Sequence, residues 1–252
     1  LFRSDVYEYC DMIENMSNFM TGLNVGYNIT ADQQLNLQVL NSRNGSFDST
    51  YGITENEEGK LPDLRSGKLP LVYTLNWNGN FNDLIKTRWS ASVLNEAKSK
   101  NMYYYAFGNE LNLDKFNMFV DVMYSHEGID RNGTITSIVG RAGGHNAFDA
   151  GYLSVVTKLN YRFQPKWNAF VKGMYETASV TKSTEGIAKG NYRTSWGYLA
   201  GIEFYPMETN LHFFLTYVGR SYDFTSRAKV LGQNNDSTNR ISVGFIWQMP
   251  VF

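Results

Sequence analysis

Residues 151–178 read GYLSVVTKLNYRF, then QPK, then WNAFVKGMYETA. In the first arm Leu153, Val155, Leu159, Tyr161 and Phe163 share one parity, broken only by Thr157. Ser154, Lys158, Asn160 and Arg162 share the other. In the second arm Trp167, Ala169, Val171 and Tyr175 alternate with Asn168, Lys172 and Glu176. Successive side chains of a strand point to opposite faces, so period two over this length predicts two strands, each with an apolar and a polar face. Both arms exceed the roughly 5–6 residues usual in a globular strand and suit a tilted membrane-spanning strand of roughly 9–11 residues. The tight Gln164–Lys166 connection joins them as a hairpin.

The same pattern runs outward from this hairpin in both directions. It predicts strands over 17–29, 34–43, 69–78, 84–97, 101–110 and 116–126 before it, and over 193–205, 210–220 and 239–248 after it. Connections at 30–33, 79–83, 111–115, 164–166 and 206–209 are short. Those at 44–68, 127–149, 179–192 and 221–238 are long and polar, with 98–100 as the exception. Outer-membrane barrels have short periplasmic turns and longer outer loops, and a soluble sandwich has no reason to sort its loops this way. The expected fold is therefore all-β, an antiparallel transmembrane β-barrel. Eleven segments are odd where closed bacterial barrels are usually even. Either residues 1–16 hide a twelfth strand, or this is part of a larger barrel of roughly sixteen strands. The latter fits a chain that opens at Leu1 without a signal segment.

Composition is consistent with this reading. A mean hydropathy of −0.37 would suit a soluble protein, but a barrel gives the same average because half of each strand faces water. No run of about 18 apolar residues occurs, which excludes a helical span. Net charge is −1, giving no overall pull toward nucleic acid. Cys10 is the only cysteine, so no intrachain disulfide can form. Residues 1–16 place Asp5, Glu8, Asp11 and Glu14 at helical spacing, and are expected to be an extracellular loop or the end of an upstream strand, with the barrel over 17–252. Aromatic residues are abundant, with 17 Tyr, 16 Phe and 5 Trp. Tyr27, Trp77, Phe107, Phe116, Tyr161, Phe163, Trp167, Phe204, Phe213 and Trp247 lie near short turns on the apolar parity, where an interfacial girdle belongs.

The alternating hairpins, the ending SVGFIWQMPVF and the segment NAFVKGMYE at 168–176 together resemble the C-terminal part of a Gram-negative outer-membrane porin. The nearest families are the phosphate-selective porin O and P-like barrels and the related OmpL-like barrels. The resemblance covers most of the chain from Ser17 onward and is one of pattern. It implies a trimeric or monomeric barrel that passes small solutes across the outer membrane. Phe252 resembles the assembly signal of such barrels, from which Pro250 departs. The likeness also implies a dense basic track in a phosphate-selective lumen. On the polar parity stand Lys86, Arg88, Lys158, Arg162, Lys172, Arg193, Arg220 and Arg240, against Glu110, Asp121, Glu176 and Glu203. These basic residues are spread over several strands, which speaks against strong phosphate selectivity.

A basic excess in a pore favours anions, and guanidinium forks suit phosphate or carboxylate. The same residues could equally pair with the four acids and stiffen the wall. The leading expectation is a passive diffusion channel for small hydrophilic solutes, mildly anion-preferring. The rival is a structural or partner-binding barrel with a plugged lumen and binding loops. Expected partners are outer-membrane lipid, small anions and other copies of the chain or other outer-membrane proteins; no cofactor and no enzymatic activity are expected. His126, His145 and His212 form no metal spacing. Ser125 and His126 are adjacent on one strand, so their side chains point apart and cannot form a hydrolytic pair. Arg141-Ala-Gly-Gly links no strand to a helix, unlike a true phosphate loop. Asn234–Asp236 is expected to be a polar turn rather than a Ca²⁺ site.

Overall fold

The computed structural model describes residues 21–41, 71–97, 100–130, 133–139, 147–183, 187–206 and 211–247. Residues 1–16, the GRAGGHNAF segment around Arg141 and His145, and the terminal Pro250 and Phe252 lie outside this set or largely so. Eleven strands follow one another: β1 (Thr21–Thr30), β2 (Gln33–Asn41), β3 (Leu71–Phe81), β4 (Ile85–Ala97), β5 (Lys100–Asn112) and β6 (Phe116–Ile129), then β7 (Phe148–Gln164), β8 (Trp167–Val180), β9 (Gly190–Phe204), β10 (Leu211–Phe224) and β11 (Asp236–Trp247). They form one sheet in strict sequence order, every pairing antiparallel. Among the described residues β1 and β11 are its two edges. No helix in this set is long and apolar enough to cross a membrane.

Each predicted strand is present; β3 and β5 run on to Phe81 and Asn112 in the short connections, and the larger differences lie at the long-connection ends. β6 runs on to Ile129, β7 starts at Phe148, β9 starts at Gly190, and β10 and β11 meet the 225–235 connection at Phe224 and Asp236. Two short helices sit in these connections, α1 (Thr134–Ile138) and α2 (Ser226–Val230). Asn235, expected in a polar turn, accepts from the Phe224 N–H at 3.0 Å and donates to Asp223. Asp236 begins β11 rather than ending a loop.

The two faces differ sharply. On one, Leu23, Val25, Ile241 and Val243 are 66–80% exposed, and apolar side chains continue across every strand between them. An apolar surface of that extent cannot be left in water. Cross-strand aromatics tile it. The register sets Trp167, Phe204, Phe213 and Phe245 in one row across β8–β11, with ring centroids 4.6 Å apart for Trp167–Phe204 and 6.1 Å for Phe213–Phe245. Across β3–β5, Trp77, Trp89 and Phe107 meet edge-on at 5.0 and 5.9 Å. Every expected girdle residue lies on this bare face; Trp89 and Phe245 join the rows as well. Where Gly219 leaves a gap, the Tyr198 ring lies so close that an added Cβ would sit 2.1 Å from it. There the glycine admits its cross-strand aromatic neighbour.

The other face carries the packed part. Met123, Tyr152, Val156, Met174, Ala178 and Tyr192 gather there with Ile135 and Ile138 of α1 and Ala228 of α2. Both helices therefore fold back over the sheet and cover its polar side at the long-connection end.

Candidate functional site

The covered face holds the polar parity of every strand. Arg193 of β9 lies beside Glu176 of β8 at 3.3 Å, and the Ser154 hydroxyl donates to the other Glu176 oxygen at 2.7 Å. Glu176 is 1% exposed and Arg193 7%. The Arg193 and Arg220 guanidiniums lie 4.5 and 4.2 Å from the ring of Tyr222. Lys172 is 6% exposed, directly opposite Lys158 in the register, and the Lys158 ammonium lies 5.1 Å from the Phe170 ring. Lys172, Glu176 and Arg193, expected to face a solute, are buried. They occupy the inner parity, and Glu176 and Arg193 are paired with each other there.

The sequence reading passed over the apolar members of the same parity. Val156, Phe170, Met174, Leu199 and Val218 are buried there, and each is a break in the alternation that signals a filled interior. It also passed over Glu127 and Asp130, 2% and 1% exposed. Asp130 anchors α1. Its carboxylate accepts from the N–H groups of Gly133 at 3.1 Å and Thr136 at 2.6 Å, from the Thr136 hydroxyl at 2.8 Å, and from the Tyr152 phenol. A carboxylate fed by several N–H and O–H donors is a strong, charge-assisted anchor.

Toward the short turns the wall opens. Lys86, Arg88 and Arg162 are exposed there, while Arg240, exposed on the edge strand β11, and Arg220, half-buried on β10, lie nearer the long-connection end and Lys158 is half-buried between. The register forms one continuous row from Asn28 through Gln34 and Asn78 to Arg88, Gly108 and Asp121. The Asp121 carboxylate leans over Gly108, 2.8 Å from where a Cβ would stand. Glu110 accepts from Asn117 at 2.9 Å. Glu203 is a hub at the same end, accepting from Asn168 at 2.7 Å and from Tyr205 at 3.1 Å, with His212 at 3.9 Å. Burial first, and Glu203 second, push the Tyr205 phenol up to about 12, so it stays a donor at any physiological pH. Ser125 is buried on the inner parity, while His126 stacks on Tyr103 and meets Thr181 on the other. The pair is divided between faces as expected, and no set of three His, Cys, Asp or Glu that could hold a metal exists among the described residues.

A family model described as phosphate-selective porin O and P matches residues 3–249. A comparison with curated protein sequences finds no match. Among solved structures, the chain is similar to the outer-membrane channel DcaP of Acinetobacter baumannii, with a TM-score of 0.60 at 11% identity, over 90% of this chain and 61% of that one. It is also similar to OccAB3 of Acinetobacter baumannii, with a TM-score of 0.51 at 12% identity, over 91% of this chain and 57% of the other. At such identities the likeness is one of fold. The chain spans about three fifths of the length of these two proteins.

Proposed function

The chain belongs to the phosphate-selective porin O and P family, a family of bacterial outer-membrane barrels, and from that premise we propose that it forms part of the wall of a passive channel for small hydrophilic solutes with a mild preference for anions. The bare apolar face then lies in lipid and the covered face lines the lumen. Backbone groups cannot stay unpaired in a bilayer, so the edges of β1 and β11 are joined by further strands of the same barrel. The greater length of the two similar channels supports this.

The observation that carries the solute reading is the set of exposed cations on the inner parity. Lys86, Arg88, Arg162 and Arg240 remain exposed, whereas the acid Glu176 is sealed away with Arg193. Six basic positions against three acidic ones remain on the accessible wall once Lys172, Arg193 and Glu176 are set aside as buried, and an excess of accessible cations favours anion passage. In a planar bilayer under a KCl gradient, the intact protein should give a reversal potential of the sign set by chloride. Lys86→Gln with Arg88→Gln should bring it toward zero. Cation preference in the unaltered protein would refute the assignment.

The apolar cluster with α1 and α2 on the inner face favours a second reading, a plugged barrel whose outer loops bind a partner. Absence of any conductance step from correctly folded protein decides for it. Both readings place Val171, 55% exposed, in lipid. Val171→Arg should cost about 2–4 kcal/mol of folding free energy, as a cation does near the bilayer midplane. Urea unfolding in lipid vesicles measures it, and a neutral result would mean that β8 does not face hydrocarbon.

A further inference from the structure

The wall of β1–β4 has a different chemistry from that of β7–β11. At the short-turn end its inner side forms a groove of about 350 Å³ lined by Asn28, Gln34, Asn78, Asn80, Lys86 and Arg88. That volume lies in the range of small-molecule sites. Five carboxamides, with Gln33 the fifth, and two cations share it, and the amides are ordered. Asn36 donates to Gln34 at 3.1 Å and Gln34 to Asn28 at 3.1 Å, so the oxygens of Gln34 and Asn28 are taken and the Asn28 amide N–H groups are left to donate. The Asn80 side-chain oxygen is buried with no hydrogen-bond partner among the described residues, while its nitrogen is held by Asp83 at 2.7 Å. Among the same residues Asn78, Lys86 and Arg88 make no side-chain hydrogen bond or ion pair. Asp32 of the β1–β2 turn is the one acid on the groove.

We propose that this groove is a binding site for a small polyhydroxylated anion, a hydroxyl-rich carbon chain or ring carrying one carboxylate or phosphate. The inference rests on the channel reading for its physiological meaning, but not for its chemistry. Carboxamides both donate and accept, which matches hydroxyls that do the same. A guanidinium matches a carboxylate or phosphate in a fork. The Asn28–Gln34–Asn78–Arg88 row sets these groups one strand spacing apart, so three amides and the guanidinium span roughly 14 Å with Asn80 and Lys86 alongside. A bare anion would use only the cations, and a neutral sugar would leave two cations and their water shells unsatisfied. Only a ligand with both parts replaces every hydrogen bond that entry removes. Asp32 limits the net charge of the groove to about one, which selects against multiply charged ligands.

Calorimetric titration of the full-length protein in detergent tests this without requiring conduction. The probes are gluconate and glucose 6-phosphate, with glucose and acetate as the half-ligands. Gluconate or glucose 6-phosphate should bind about tenfold or more tightly than either half-ligand, the loss expected when one charge-assisted contact or the amide set goes unused. Preference between the two assigns the acid as carboxylate or phosphate. Asn78→Ala and Arg88→Gln should each weaken that binding by about tenfold while leaving the heat-resistant folded form intact on gels. Acetate or glucose binding as tightly as the full ligands, or no binding of any, overturns the proposal even if the barrel conducts. Specific binding by a barrel that gives no conductance would retain the site and remove the channel.

Discussion

Glu176→Ala should destabilise the folded barrel by about 3–5 kcal/mol, the usual result of stranding one member of a buried ion pair. Glu176 is 1% exposed, accepts a hydrogen bond from the Ser154 hydroxyl at 2.7 Å and faces Arg193 at 3.3 Å. Removing it leaves a buried guanidinium and a buried hydroxyl to find other company inside the cluster that covers them. The pair itself is not the source of the stability. Two charges taken out of water lose about as much hydration as they regain by attraction, so Glu176→Gln combined with Arg193→Met should destabilise much less than the sum of Glu176→Gln and Arg193→Met made singly. The temperature at which the compact form unfolds in detergent, read on gels for both single variants and the double, gives the coupling. Simple additivity of the two single losses would mean that the two side chains act independently, and the account of this cluster would fail.

That cluster also marks where the sequence stopped being legible. Period two located all eleven strands because lipid on one side and water on the other impose alternation on every residue within the bilayer. The rule weakens beyond the membrane, where both faces meet water or loops. That is why Phe148, Asp149 and Gly190–Tyr192 fall in expected connections although they belong to β7 and β9. Parity placed Lys172, Glu176 and Arg193 on the correct face but said nothing of depth. Depth was written in the interruptions: Val156, Phe170, Met174, Leu199 and Val218 stand where a water-filled lumen would call for polar groups. Val156 and Met174 face inward against the apolar residues of α1 and α2, whereas Phe170, Leu199 and Val218 pack on one another in a separate cluster. Five-residue helices are too short to show a 3.6 period, so no local pattern could have revealed them. The open groove on β1–β4 was present in the sequence only as an unremarked run of Asn and Gln. Its meaning depends on register, which aligns Asn28, Gln34, Asn78 and Arg88 across four strands.

The helix that fills the interior hangs on one carboxylate, and Asp130→Ala should release it. Asp130 accepts from two backbone N–H groups, the Thr136 hydroxyl and the Tyr152 phenol. Hydrogen bonds to a charged group contribute about 1.5–3 kcal/mol each, not additively. Losing the set at once should cost the α1 segment about 3–5 kcal/mol, against which stands the burial of Ile135 and Ile138 at about 1.5–3 kcal/mol apiece. Ordering the five residues of α1 costs about 1–2 kcal/mol each, more than that burial alone returns, so α1 should undock while the strands, paired along their whole length, stay folded. Limited proteolysis should then cut the 130–147 connection many times faster than in the unaltered protein, with the gel-shift temperature of the barrel nearly unchanged. If the lumen conducts, the step size should rise and the open level become noisy, because Ile135 and Ile138 no longer occupy the space beside Tyr152. Asp130→Asn should fall between the two, since its oxygen can still accept from the backbone but its nitrogen cannot accept from Thr136. Unchanged cleavage in Asp130→Ala would show that the apolar contacts alone seat the helix, and the carboxylate would then be a consequence of its position and not the cause.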